Sequence, residues 1–382
     1  MDGLNMTATK KRSLGDITNT ASELEVGVPS TILRFALQRA AYELIPQERI
    51  KICLRYHKPN TAVITVNRHK TAKKAYFGGL MTCGSVWQCP LCAQRISEHR
   101  RAELERGVLN WTGGIFMVTY TASHKLHTPL KEILETVKEG ARSFKSGEKF
   151  QTIKNAAALR GTVKALEVTY GANGWHPHIH EIWFVDVPLN KIELDVVEMA
   201  LRKHWQQVLG RKGWLASIEH GIKVSDDKFD LARYVAKFGH EPKMTMDQWE
   251  NQWSLVKEVT KQVVKKSRTR EGRTPTQLLV DYIQDDFEAG ERWREYALTF
   301  KGSKQLTWSN GLRDLLKIGE EVGDAEITDE LPEDTLIYAT FSLDQWKAIL
   351  RHDARAEILH RAEWMSQEDF ALWVSEKIDT WL

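Results

Sequence analysis

Three histidines, His176, His178 and His180, alternate with other residues in the stretch NGWHPHIHEIWFV (173–185). Alternate side chains of a β-strand share one face, so these imidazoles stand side by side at the start of an otherwise apolar run. The Asn173-Gly174 pair just before them is a strong hairpin signal, and VKALEVTYGA supplies the partner strand. A symmetric two-residue turn centred on Asn173-Gly174 predicts that Glu167 faces His180 and that Thr169 faces His178, with all four on one side of the sheet. Two imidazoles and a carboxylate form a three-ligand set suited to Mg²⁺ or Mn²⁺, with positions left for water and substrate. His176, nearest the turn, is the weaker ligand candidate. Pro177 has no N–H to donate, so the strand must begin at a sheet edge or be distorted there.

A second set of reactive side chains follows in FDLARYVAKFGHE, where Asp230, Tyr234 and Lys237 fall at i, i+4 and i+7 on one face of a predicted helix. Beside a divalent cation a phenol oxygen can attack a phosphodiester, and the phosphotyrosine so formed conserves the energy of the broken bond. Lys237 is placed to balance charge on the reacting phosphate, and Asp230 to activate water or a hydroxyl.

The chain has four cysteines, Cys53, Cys83, Cys89 and Cys92, three of them within CGSVWQCPLC. This spacing points to a tetrahedral Zn²⁺ site rather than to disulfides. The fourth ligand is Cys53, His57, His69 or His99; Cys53 is favoured because it leaves no thiol unused. The helix that follows carries Arg95, His99, Arg100, Arg101 and Arg106 among glutamates, a pattern that suits either phosphate contact or a solvated face. Trp175 and Trp183 suit either base stacking or packing of the sheet.

Helices are predicted over 30–45, 129–145, 190–212, 244–268 and 275–296, and strands over 61–69, 113–122 and within WLASIEHGIKVS (214–225). Charge is unevenly distributed. Residues 319–382 carry 5 Lys/Arg against 16 Asp/Glu, a net of −11, which leaves +14 on the rest of a chain whose total is +3. A basic body with an acidic tail suits a polyanionic partner. No stretch reaches the roughly 20 apolar residues of a membrane span, and the chain is read as cytoplasmic, without a membrane partner.

His-x-His on a strand, followed some 50 residues on by Tyr-x-x-Lys on a helix, resembles the HUH endonucleases. The blocks CGSVWQCPLCAQRI, ALEVTYGANGWHPHIHEIWF, LARYVAKF and REYALTFKGSKQLTWSNGLRDLL resemble, in particular, the one-tyrosine rolling-circle replication initiators of small bacterial plasmids. The resemblance covers about residues 50–317. It implies an α+β fold with an antiparallel sheet of about five strands flanked by helices, an inserted zinc knuckle and a helical C-terminal region. It also implies nicking of a single-stranded or hairpin origin, covalent attachment through Tyr234, a 3′-hydroxyl that primes synthesis, and a host helicase and polymerase as partners. In the family a carboxylate four residues before the tyrosine closes the cycle; here that position is Asp230, where glutamate is usual. The corresponding division of the chain is a leader at 1–28, a nicking domain at 29–242 with its zinc knuckle at 53–99, a helical DNA-associated extension at 243–318, and an acidic linker with a small module at 319–382.

Competing readings are an HUH transposase, a relaxase, or a non-catalytic zinc-containing regulator that binds nucleic acid. Relaxases usually place the tyrosine before the histidines, and two-tyrosine transposases want a second tyrosine near Tyr234. The regulator leaves Glu167, His178, His180 and Tyr234 without a task. A histidine phosphoesterase is excluded, since only His69-Lys70-Thr71 fits its motif.

Overall fold

The computed structural model describes residues 30–226 and 272–382. The predicted leader, the segment bearing Asp230, Tyr234 and Lys237, and the helix predicted over 244–268 lie outside the described residues. In chain order the main elements are α1 (Ser30–Leu44), β1 (Val63–His69), β2 (Ala75–Gly78), α2 (Pro90–Asn110), β3 (Gly114–Tyr120), α3 (Leu130–Lys145), α4 (Glu148–Ala156), β4 (Leu159–Gly171), β5 (Gly174–Val185), α5 (Lys191–Gly210) and β6 (Ile222–Ser225). Beyond the break come α6 (Pro275–Ile283), α7 (Phe287–Thr299), β7 (Leu306–Trp308), the short α8 (Leu312–Leu315) and α9 (Asp324–Asp329), β8 (Thr335–Ser342), α10 (Leu343–Arg351), α11 (Arg355–Trp364) and α12 (Gln367–Trp381). Among the described residues no helix is long and apolar enough to cross a membrane.

Contacts divide the chain into two units: Leu37–Lys58 with Leu80–Leu331, and a smaller one built from residues up to Ala36, Pro59–Gly79 and Pro332–Leu382. The larger unit is mixed α/β around a five-stranded antiparallel sheet ordered β6-β3-β5-β4-β7. Along β5 the period-two pattern sorts side chains cleanly. Ile182 and Phe184 turn to a core made with Leu104 of α2, Met117, Val163, Leu306 and Leu312, and His180 and His178 continue that same face toward the hairpin. The opposite face carries Ile179, Glu181 and Trp183 under α3, with Tyr120, Phe144 and Trp205 stacked edge to face. Trp183 is fully buried and Trp175 is 2% exposed, so both pack the sheet rather than offer a surface for bases.

The strand expected within 214–225 is confined to β6, and 214–221 is irregular. The helix expected over 275–296 is two, because Asp285 takes a left-handed φ of 69° and Asp286 caps α7 through Ala289 N–H at 3.0 Å.

The charged helix α2 is held inward. Arg100 donates to Glu103 at 2.9 Å, to Asp324 at 2.8 Å and to the Val322 carbonyl at 2.7 Å, and Arg313 donates to the other oxygen of Glu103 at 2.8 Å. Arg95 donates to the Thr328 carbonyl at 2.7 Å, and Arg101 pairs with Glu105. Arg100 is 5% exposed, so it serves this network and not phosphate contact. Burial opposes the charge on Glu103, but hydrogen bonds from His99, Arg313 and Arg100 overcome it and hold its carboxyl at about 2. Its contribution to stability is therefore full above the ordinary carboxylate range and is lost as pH falls toward 2. Glu103→Gln is expected to cost roughly 1.5 to 3 kcal/mol at neutral pH, since each guanidinium loses a charge-assisted bond while Arg100 keeps Asp324 and Arg313 keeps the Gly319 and Glu320 carbonyls. Urea unfolding at stepped pH checks this: the gap between variant and wild type should narrow below about pH 4.5. A gap independent of pH removes the assignment.

The smaller unit has a three-stranded antiparallel sheet ordered β2-β1-β8. Ile64 and Val66 of β1 and Phe341 of β8 face a core shared with Trp346, Ile358, Phe370 and Ile378. Ser342 and Gln345 form a reciprocal cap that starts α10 directly at the end of β8.

Candidate metal centres

The hairpin closes on the pair Gly171–Gly174, with Ala172 and Asn173 as its loop, so the predicted register is corrected by two residues: Glu167 faces His178, Thr169 faces His176 and Ala165 faces His180. Gly174 spends its left-handed conformation (φ 85°) as the first residue of β5 rather than inside the turn. A Cβ there would stand 2.4 Å from the Leu126 carbonyl oxygen. A slip of two keeps parity, so Glu167, His178 and His180 still share one face. Pro177 is accommodated at a local edge. The β3 partner of β5 stops at Tyr120–Ile179, while β4 continues alongside to the turn, leaving Pro177 with a sheet neighbour on one side. The histidines straddle the point where β3 ends, which opens their face.

His178 Nε2 lies 3.2 Å and His180 Nε2 lies 3.4 Å from the same oxygen, Glu167 Oε2. The side chains are 13%, 12% and 21% exposed for His178, His180 and Glu167, enough to shed bulk water without closing the site. The opposite ring nitrogens define the chemistry. His178 Nδ1 is 3.1 Å from the His176 carbonyl oxygen, which can only accept, so Nδ1 carries a proton and Nε2 is the nitrogen turned toward Glu167. His180 Nδ1 is 3.0 Å from Thr119 Oγ1. Either a proton or a metal ion can stand between these nitrogens and the carboxylate oxygen, and the three atoms form a ligand set for the latter. Outer hydrogen bonds of this kind are how metal-binding imidazoles are oriented. The three ligand atoms lie within 4.8 Å of one another, a span one divalent ion can bridge.

Two neighbours were not anticipated from the sequence. Thr119 interrupts the apolar run of β3 on the histidine face, a polar signal the sequence does carry. His124, from the loop after β3, brings Nε2 to 3.4 Å from His176 Nδ1, and no local pattern announces it.

Cys53, Cys83, Cys89 and Cys92 converge as four free, buried thiols. Sγ of Cys53 and of Cys83 are each 3.5 Å from Sγ of Cys92, and Cys89 Sγ is 3.6 Å from Cys53. Four thiolates about 2.3 Å from a tetrahedral ion stand about 3.8 Å apart, close to this spacing. Cys89 and Cys92 sit at the start of α2 with Pro90 at its first position, a turn the Cys-Pro-Leu-Cys sequence favours. Burial pushes the Cys89 thiol up, whereas thiol hydrogen bonds from Cys53, Cys83 and Cys89 hold Cys92 down. Four buried thiols with no other partner for a negative charge form a donor set that fits a thiophilic metal. His57 and His99 are engaged elsewhere, His57 with the Lys58 carbonyl and His99 with Glu103.

No family model matches the chain, and no solved structure does. Among characterised proteins, the chain is similar to Protein rep of Streptomyces lividans, 26% identical over 384 aligned residues that cover 78% of this chain and 79% of that protein. It is also similar to a protein named Neomycin resistance protein from Streptomyces cyanogenus, 28% identical over 135 residues, which is 28% of this chain and 31% of that one.

Proposed function

We propose that the chain is a plasmid replication protein that nicks and rejoins one DNA strand at the Glu167, His178 and His180 centre, with Tyr234 as the covalent nucleophile, to start and end rolling-circle replication. The observation that carries this reading is the convergence of two imidazole Nε2 atoms on one carboxylate oxygen at the open end of a five-stranded antiparallel sheet. The similarity to Protein rep over most of both chains supports it. Mg²⁺ or Mn²⁺ bound there would supply Lewis-acid polarisation of a phosphodiester oxygen. Glu167 contributes negative charge and the two imidazoles neutral donors, held by the His176 carbonyl and by Thr119. The Tyr234 oxygen attacks phosphorus, the bond to the 3′-oxygen breaks, and the phenol proton ends on the released 3′-hydroxyl. Lys237 balances charge on the reacting phosphate, and Asp230 positions the water or hydroxyl that completes the cycle. Cys53, Cys83, Cys89 and Cys92 hold a structural Zn²⁺ that ties the chain before β1 to the start of α2.

The test uses labelled single-stranded oligonucleotides tiled across the DNA flanking the coding sequence, with Mn²⁺ or Mg²⁺, resolved on a denaturing gel. Wild type is expected to give a covalent adduct on the 5′ end of the cut strand, and Tyr234→Phe none, with DNA binding retained. An adduct peptide mapping to Tyr170 or Tyr282 moves the nucleophile. Absence of any adduct favours the non-catalytic regulator.

A further inference from the structure

On the sheet face opposite the histidines, α3 and β4 bring together more cations than the described acids beside them. Lys138, Arg142 and Lys145 recur at i, i+4 and i+7 along α3 and so share one of its faces. Lys145 reaches down to Thr162 Oγ1 at 3.3 Å and pairs with the buried Glu181. Lys164 lies two residues along β4 from Thr162, on the same face, and is the cross-strand neighbour of Glu181. That carboxylate is already committed: one oxygen takes Lys145, and the other accepts from Tyr120 O–H at 3.0 Å and Trp183 Nε1–H at 3.1 Å. Among the described residues neither Lys164 nor Arg142 has a hydrogen-bond acceptor, and Lys138 has only the hydroxyl of Ser303, at 2.8 Å. Four cations therefore meet the committed Glu181 and the exposed Glu135, which Lys131 also approaches at 3.9 Å.

Half-buried ammonium groups without counter-charge are costly. Burial, and then the charges of Lys145 and Arg142, hold the Lys164 ammonium below its usual range; burial, then Lys164, does the same to Lys138. An anion of more than one charge placed beside them would relieve this repulsion. Lys164 and Glu167 are three residues apart on one strand, about 10 Å, and on opposite faces.

We propose that Lys138, Arg142 and Lys164 form a binding track for the phosphodiester backbone of the DNA strand that enters the Glu167, His178 and His180 centre. The track rests on the nicking reading for the identity of its ligand. It positions DNA without reading sequence, because lysine and arginine meet phosphates alike whatever the bases. Lys145 is excluded from the track since Glu181 depends on it.

The experiment measures affinity of the full chain for oligo(dT) by fluorescence anisotropy across a chloride series, for wild type and for Arg142→Gln/Lys164→Gln. The variant is expected to bind more weakly at low salt. The slope of log affinity against log salt should become shallower by about 0.7 for each lost contact. Its melting temperature without DNA should equal or exceed that of wild type, because mutual repulsion is relieved; Arg142→Lys/Lys164→Arg should restore the slope. An unchanged slope and affinity in the Gln variant overturns the track. So does a wild type stabilised against heat by inorganic phosphate but not by oligo(dT), which reassigns the cluster to a small anion. Failure of the nicking reading looks different: no covalent adduct in wild type, while the slopes still separate.

Discussion

His178→Ala and His180→Ala are each expected to abolish divalent-cation-dependent cutting while leaving the fold, the zinc content and most duplex binding intact. Each removal takes one of the two neutral donors from a three-donor set and leaves Glu167 Oε2 with a single imidazole neighbour. The fall should exceed the roughly 10- to 100-fold that changes in outer hydrogen bonds produce. Thr119→Val, which removes only the oxygen 3.0 Å from His180 Nδ1, should land within that smaller range and act on metal affinity. Because both histidines stand at the open end of the sheet rather than in its core, unfolding is not the expected cause of lost activity. The measurement is cleavage of labelled single-stranded DNA against Mn²⁺ concentration, with circular dichroism as a control. Wild-type cutting by either alanine variant, resistant to EDTA, ends the metal assignment. Glu167→Ala should behave like the histidine variants; a mild effect transfers the third position to His176, whose neighbour His124 then becomes relevant.

Cys92→Ser is expected to release one Zn²⁺ per chain and, with Cys89→Ser, to cost more stability than the other single substitutions considered. Cys92 Sγ is in contact with both Cys53 and Cys83. A serine hydroxyl there replaces a charged ligand with a neutral one in a pocket sealed from water. Structural zinc contributes on the order of 10 kcal/mol of apparent binding free energy in small zinc modules, comparable with the whole stability of an ordinary domain. Elemental analysis of freshly purified protein, paired with thermal unfolding before and after chelation, measures both effects. Folded wild type that contains no zinc, or a chelated form with unchanged melting, removes the ion and leaves four packed thiols. Cys89→Ser should match Cys92→Ser, since its sulfur touches Cys53 on the other side of the cluster.

The grouping of Glu167, His178 and His180 on one face was legible because strand parity is robust. The turn closes one residue earlier than Asn173-Gly174 suggests, which slips the register by two, and an even slip returns every side chain to the same side. The cysteine set was legible for a similar reason: Cys-Pro-Leu-Cys sets two ligands on one helical turn, and a buried Cys53 is the remaining thiol. Interactions between distant segments were not. Nothing local ties Glu103 to Arg313, or the solvent-facing lettering of α2 to its inward pairing with Asp324. The break between α6 and α7 depends on a single left-handed aspartate within a run whose apolar spacing continues across it. The basic stripe on α3 reads from sequence as an ordinary solvated face. Its character comes from Lys164, which β4 inserts beside it, and from the prior commitment of Glu181.

The order of strands in the smaller unit has a consequence for biosynthesis. β1 is the central strand of its sheet, but β8, which covers one of its edges, is translated only after nearly the whole larger unit. At about 5–20 residues per second that interval is roughly 10–50 s. Throughout it the backbone groups of Val63–His69 on that side await a partner while β2 already holds the other. A nascent chain or a product truncated before Thr335 therefore presents an open strand edge, the kind of template on which aggregation begins. Arg68 and His69 near the end of that strand, beside Lys70, keep it polar during the wait.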